Sequence, residues 1–543
     1  MLVAEAVGAE LARLGVRQVF GVVGSGNFHV TNALVDGGAH FVAARHEGGA
    51  ATMADSYARL SSEVSALSVH QGCGLTNAMT GITEAAKSRT PMLVIAAEAS
   101  EPASNFYVDQ AGLATSVGAR AMRVESAGTA VATAAAAYHQ ARTERRTVLL
   151  NLPLAVQVEP ASESRRPPPP AERAPSAPDE PALERLVAAI VDSERPVFVA
   201  GRGARGPAAR DALIELADRT GALLATSAAA KGLFHDQPWS LDVSGGFASP
   251  LAAELIRDAD LVLGWGCALN MWTMRHGELI GPGAAVGQVD LDEDAIGAHR
   301  PVDFGVIGDV SATAAAAASR VAHRPRYRSD SVRARITESV LWRDVPFDDT
   351  STDARIDPRT LTIALDGHLP AERIVCIDSG NFMGYPSMFL SVPDERGFCF
   401  TQAFQSIGLG LASAIGAALA QPDRLPVACL GDGGALMSVA ELETVVRLGL
   451  PMIVVVYNDE AYGAEVHHFG PDGFALETVR FPETDIASIA RGFGFDGVTV
   501  RRHDDLSRVA DWLAGDRCRP LLIDAKITDD GGSWWLKEAF RGH

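Results

Sequence analysis

Cysteine is scarce and badly spaced for chemistry. The chain has six in 543 residues, Cys73, Cys267, Cys376, Cys399, Cys429 and Cys518, with no CxxC pair and no Cys/His ligand spacing. That excludes cysteine-based metal and redox motifs, and thiols scattered through apolar runs fit a reduced, cytoplasmic protein. No apolar stretch reaches about 18 residues, so no membrane-spanning helix is expected. No cleavable signal is expected either, because the sequence opens on an amphipathic helix pattern over 3–14. Positive charge is in deficit, 47 Lys and Arg against 67 Asp and Glu, for a net charge of −20. That balance argues against nucleic acid or an anionic membrane as a partner. No short internal repeat is visible.

What remains is an ordinary globular composition, 47% hydrophobic and 21% charged, with length for about three domains. Segments 18–23, 40–45, 64–69, 91–97 and 147–152 read as strands, with a helix over 48–60. This alternation predicts a doubly wound parallel α/β layer. Segment 159–179, with four prolines at 167–170, reads as a semi-rigid linker. Strand patterns return at 196–200, 261–264 and 285–290. A polar, Arg-rich stretch over 323–353 then leads into a third α/β block. The predicted domains are 1–160, 181–323 and 354–543, each a doubly wound parallel sheet.

The third block carries the clearest chemical signal. Gly431-Asp432-Gly433 follows the apolar run 426–430, a helical pattern covers 437–449, and a second buried-strand run over 451–457 ends at Asn458-Asp459. A right-handed crossover makes these strands parallel, so Asp432 and Asn458 emerge on one edge of the sheet. One carboxylate and one amide oxygen there suit a Mg²⁺ ion that bridges to a diphosphate and keeps some waters. Glycines on either side allow close backbone approach.

This pattern, spread over nearly the whole chain, resembles the thiamine-diphosphate-dependent 2-oxo-acid decarboxylase/carboligase superfamily, particularly its acetolactate-synthase-like branch. The resemblance implies a pyrimidine-binding, a middle and a diphosphate-binding domain, in that order. It also implies active sites between subunits, hence a homodimer or homotetramer, and a small 2-oxo acid as substrate. Gly431, Asp432, Gly433 and Asn458 match the cofactor motif, with Asp432, Asn458 and the Glu460 carbonyl as metal ligands. Glu47, in Arg45-His46-Glu47-Gly48-Gly49-Ala50, matches the glutamate that activates the cofactor through its aminopyrimidine ring. Ile407 stands where the family wedges a bulky apolar residue under the bent cofactor, and Asn381 where a diphosphate contact is expected.

The substrate-facing positions depart from the family. His70 and Gln71 replace small hydroxyl residues in 69–77, and a histidine there resembles the benzoylformate-decarboxylase branch, where it is an acid/base group. Asn27 and His29, on the 24–29 loop, are further substrate candidates. Glu465 and His468 follow the metal motif. His468 replaces a Trp and Ala464 a Met of true acetolactate synthases, which implies a larger, more polar pocket. The His467-His468 pair lacks a third ligand for a metal. The middle domain lacks the Arg and acidic pair of flavin-binding relatives, and Gly201-Arg202-Gly203 is a weak dinucleotide signal, so FAD is not expected. Two rivals stay open: a non-ligating decarboxylase of benzoylformate type, and a non-catalytic paralogue that binds the cofactor.

Overall fold

The computed structural model describes residues 1–162 and 176–539. The proline run at 167–170 therefore lies outside the described residues. Three six-stranded sheets follow one another, and every strand pair in them is parallel. The first is built from β1 Gln18–Gly21, β2 His40–Ala43, β3 Ser65–Val69, β4 Met92–Glu98, β5 Arg120–Arg123 and β6 Thr147–Pro153. The second holds β7 Pro196–Ala200, β8 Leu223–Thr226, β9 Ser240–Val243, β10 Leu261–Trp265, β11 Ala285–Asp290 and β12 Phe304–Ile307. The third holds β13 Arg373–Ile377, β14 Phe398–Phe400, β15 Leu425–Gly431, β16 Ile453–Asn458, β17 Asp496–Val500 and β18 Leu521–Lys526.

The first and third sheets share one strand order, β2-β1-β3-β4-β6-β5 and β14-β13-β15-β16-β18-β17. In such a sheet the chain reverses direction between its first and third strands. A crevice opens there, at the carboxyl ends of β1 and β3 and again at those of β13 and β15. The second sheet, read from its far edge, runs β9-β8-β7-β10-β11-β12, with its own reversal between β7 and β10. There the Gly201-Arg202-Gly203 turn packs on the turn after β10. A Cβ at Gly201 would lie 2.3 Å from the Gly266 carbonyl oxygen, so this GxG has a packing cause. No helix among the described residues is long and apolar enough to cross a membrane.

The first and third domains are joined by a shared core. Helix Glu47–Ser61 packs on helix Gly410–Ala420, with Ala50, Ala51 and Met53 against Ala414, Ile415 and Ala417 in one buried cluster. Gly416 makes this close crossing feasible, since a Cβ would lie 2.2 Å from the Met53 carbonyl oxygen.

Several expected elements differ in extent, and the strand expected over 18–23 ends at Gly21. β2 stops at Ala43, because the next backbone N–H groups of Arg45 and His46 go to a side chain of the third domain. The helix expected over 437–449 is shorter, Glu441–Arg447, and a separate helix, Asp432–Met437, precedes it. Between them lies Ser438, whose hydroxyl donates back to the Gly434 carbonyl at 2.9 Å.

Candidate active site

The candidate residues gather at the two crevices. In the third domain Asp432 follows β15 and opens helix Asp432–Met437, while Asn458 ends β16 beside it. Asn458 is buried and braced from behind. Its amide nitrogen donates to Asp524 (2.8 Å), which pairs with the buried Lys526 (3.2 Å). The Asn458 amide oxygen accepts the Glu460 N–H at 3.2 Å. Glu460 sits at φ +58°, a strained value for a non-glycine residue, and its carboxylate is paired with Arg355 at 2.9 Å. Its backbone carbonyl accepts the Phe481 N–H at 2.8 Å, so a cation on that oxygen would use its second lone pair.

Asp432 is buried, and burial pushes its carboxyl up to about 6 despite a hydrogen bond from Asp459. The Asp459 carboxyl is pushed well up as well, by burial and by the Asp432 charge. Two acids thus crowd one sheet edge. A Cβ at Gly433 would lie 2.7 Å from the Tyr462 ring, and one at Gly434 would lie 2.1 Å from Asp378 Oδ2. Only backbone fits in this turn. Among the described residues no three His, Cys, Asp or Glu side chains form a metal cluster. A cation here would take a mixed set of carboxylate, amide and backbone oxygens. Hard oxygens with an unmet negative charge fit a divalent ion of the Mg²⁺ kind.

Asp378, at the end of β13, holds the loop carrying Ile407. Its oxygens accept the N–H groups of Gly408 (2.9 Å) and Leu409 (3.1 Å). Ile407 is half-buried between two residues of positive φ, Gln405 and Gly408. Asn381 has a bracing role: its amide oxygen accepts the Ser533 N–H, and its carbonyl accepts the Trp535 indole N–H. Glu465 and His468 are half-buried on helix Gly463–Phe469, where the His468 ring meets the edge of Phe469.

In the first domain, His70 and Gln71 follow β3 and face the Gly24–Asn27 turn after β1. His70 Nδ1 lies 3.1 Å from the Gln71 carbonyl, its Nε2 lies 3.4 Å from Ser25 Oγ, and its ring meets Phe106 edge-on. Gln71 is buried, yet its side-chain oxygen has no hydrogen-bond partner among the described residues. Gly26 leaves the space for it, since a Cβ would lie 1.8 Å away. A buried acceptor without a partner costs stability and calls for an explanation. Glu47 is the first residue of its helix, half-buried, and its carboxylate accepts from the Asn77 side chain at 3.0 Å.

The structure corrects the place of Asn27. It is fully buried, with its side chain bonded to Ser68, Val22 and the Gly24 N–H, so it holds its own loop together and does not face substrate. His29, two residues further along, is exposed. Among the described residues no hydrogen bond joins Glu47 to Asp432, Asn458 or Glu460. Sequence reasoning passed over Asp524 and Lys526, although charged residues at every second position of an apolar strand are a visible signal. It also passed over Asn77 and Asp378, whose roles depend on tertiary contacts.

Comparison with known proteins agrees with this geometry. Family models match for the thiamine pyrophosphate enzyme N-terminal binding domain over residues 1–119, the central domain over 183–317 and the C-terminal binding domain over 378–525. The chain is 28% identical to a sulfoacetaldehyde acetyltransferase of Rhodobacter capsulatus, covering 99% of this chain and 96% of the relative. It is 27% identical to an acetolactate synthase large subunit of Parasynechococcus marenigrum, with 95% and 86% covered. It is 29% identical to a probable 2-ketoarginine decarboxylase of Pseudomonas aeruginosa, with 92% and 89% covered. With all three domains matched and the two crevices furnished as described, the chain belongs to the thiamine pyrophosphate (thiamine diphosphate) enzymes, on the acetolactate-synthase-like branch.

Proposed function

We propose that this enzyme uses thiamine diphosphate and Mg²⁺ to break or form the C–C bond next to the carbonyl of a small 2-oxo acid. The observation that carries the proposal is the Asp432, Asn458 and Glu460 edge, an oxygen set with unmet negative charge, in a chain that also carries Glu47. Asp432, the Asn458 amide oxygen and the Glu460 carbonyl would hold the metal. Ile407 would support the cofactor, whose thiazolium supplies the electron sink when bound. Asn77 orients the Glu47 carboxylate, the group that would exchange a proton with the bound cofactor. His70, between Ser25 and Phe106, is placed to pass a proton to the substrate carbon. Gln71 offers an amide to bind and orient the substrate.

Exposed Phe28, Phe106, Phe404, Met437, Phe469 and Phe474 lie on or near the loops of the two crevices. Apolar surface of this kind supports a second copy covering it, in a homodimer or homotetramer with sites between subunits. The six free cysteines suit a cytoplasmic setting.

A second reading, decarboxylation without ligation, is favoured by His70. One experiment separates them: purified protein with Mg²⁺ and thiamine diphosphate, a panel of 2-oxo acids, and both CO₂ and products scored. Acyloin or acyl-transfer products support ligation, and aldehyde alone supports the second reading. CO₂ release unchanged in Glu47→Gln would overturn both.

A further inference from the structure

The first and third domains exchange carboxylates. Glu84, on helix Cys73–Lys87, is fully buried and accepts the backbone N–H groups of Ala403 (3.0 Å) and Phe404 (2.6 Å) in the third domain. Glu441, on helix Glu441–Arg447, is 3% exposed and reaches the other way. One of its oxygens accepts the N–H groups of Arg45 (3.0 Å) and His46 (3.1 Å) in the first domain. Each carboxylate takes two successive N–H groups from the loop after the second strand of the opposite sheet. The loop after β2 leads into Glu47, and the loop after β14 leads to Ile407. Since the two sheets share a strand order, the arrangement is a pseudo-twofold exchange.

The two carboxylates are held differently. Burial raises the Glu84 carboxyl, but Arg59 at 2.7 Å and the two N–H groups more than offset this and hold it below its ordinary value. Arg59 also donates to the Phe400 carbonyl, so the Glu84 contact belongs to a wider buried ion network. Burial keeps Glu441 above its ordinary value, opposed by Thr444 Oγ1 at 2.6 Å and by the Arg45 and His46 N–H groups. Gly49 makes the approach possible, because a Cβ there would lie 2.6 Å from Glu441 Oε1. A buried carboxylate held on two backbone N–H groups next to a helix start is a rigid anchor, since both partners lose more than one bond if it moves.

We propose that Glu441 is a positioning residue for Glu47, with Glu84 its counterpart for the Ile407 loop, so that each cofactor-facing loop is set by the opposite domain. The proposal rests on the roles given above to Glu47 and Ile407. Asp432 and Glu441 open two consecutive helices, so adjacent elements serve the metal edge of their own domain and the Glu47 loop of the other.

The test uses full-length protein and two readouts. In cofactor-free protein, backbone amide exchange is followed in peptides spanning 44–50 and 401–409. Glu441→Leu removes the acceptor, and Gly49→Ala pushes the carboxylate away without removing it. Both should speed exchange at 44–50 by about tenfold, the loss expected for one or two hydrogen bonds, and leave 401–409 unchanged. Glu441→Gln should stay within about threefold of wild type, because its amide oxygen still accepts both N–H groups while its NH₂ turns to Thr444. In protein saturated with Mg²⁺ and thiamine diphosphate, deuterium exchange at the cofactor's reactive carbon should slow about tenfold in Glu441→Leu and recover in Glu441→Gln, with cofactor affinity little changed. Unchanged exchange at 44–50, or a uniform rise along the whole chain, overturns the proposal. Faster exchange at 44–50 with normal exchange at the cofactor carbon overturns the positioning role. If Glu47→Gln itself leaves that carbon's exchange unchanged, the role of Glu47 fails and the amide result still decides whether Glu441 anchors the loop.

Discussion

The carboxyl groups of Asp432 and Asp459 hydrogen-bond to each other at the carboxyl edge of the third sheet, and the bond requires a proton between them. Both are raised by burial, and Asp459 further by the charge of Asp432. A divalent cation on Asp432 supplies the counter-charge that the proton supplies in its absence. Asp432→Asn should therefore weaken Mg²⁺-dependent retention of thiamine diphosphate by about 100-fold or more, read by calorimetric titration. Asp459→Asn should stabilise the cofactor-free protein by on the order of 1 kcal/mol at neutral pH. An amide donates to Asp432 without having to hold a proton against solvent. A lower melting temperature for Asp459→Asn would contradict the shared proton.

His70 presents one ring nitrogen to the Gln71 carbonyl and the other toward Ser25. A carbonyl accepts only, so Nδ1 carries the proton and Nε2 is the nitrogen that exchanges protons with a ligand. His70→Ala should lower aldehyde formation from a 2-oxo acid by about 100-fold, the usual worth of a positioned acid or base, and lower acyl transfer to an acceptor much less. Product ratios by chromatography check this. Equal losses in both products would assign His70 to binding.

How much of this is legible in the sequence depends on where the cause lies. Asp432 and Asn458 are legible because each ends a recognisable apolar run, and parallel strands put such ends on one edge, whereas Glu47 and His70 are read from the family resemblance. Asn27 misleads for the same reason. Its loop is at the edge, but its side chain turns under the loop to Ser68, which is distant in sequence. Glu441 and Glu84 are not legible. Their partners lie 395 and 319 residues away, and an acidic residue on an amphipathic helix reads as solvated surface.

Asn77 touches Glu47 directly, and its amide NH₂ is the one neighbour that fixes that carboxylate within the chain's described residues. Asn77→Leu should slow deuterium exchange at the cofactor's reactive carbon by about tenfold, from lost orientation alone. Asn77→Asp should slow it further, because a second carboxylate at 3.0 Å repels Glu47 out of place. If Asn77→Asp were as fast as wild type, Glu47 would not be the group that sets this rate.

Asp378 makes stability depend on pH in a direction that can be worked out. Burial pushes its carboxyl up to about 6, although the N–H groups of Gly408, Ser379 and Leu409 pull the other way. Its ordinary value in an unfolded chain is about 3.9. The folded state thus binds the proton more tightly. The stability this contributes is fully present below about pH 4 and is lost as pH rises through about 6, at up to roughly 1.4 kcal/mol per unit. Asp357 does not blur this window. Although burial raises it, Arg359 and backbone N–H groups hold it at about 2, so its contribution disappears only in stronger acid. Asp378→Asn cannot titrate and keeps one acceptor oxygen for the loop. The difference in melting temperature between cofactor-free wild type and Asp378→Asn should therefore shift against wild type from pH 4 to 6 and level off above about 6.5. Parallel curves across that range would mean that Asp378 is ionised throughout. The loop carrying Ile407 would then be held by a full charge, satisfied by the N–H groups of Ser379, Gly408 and Leu409.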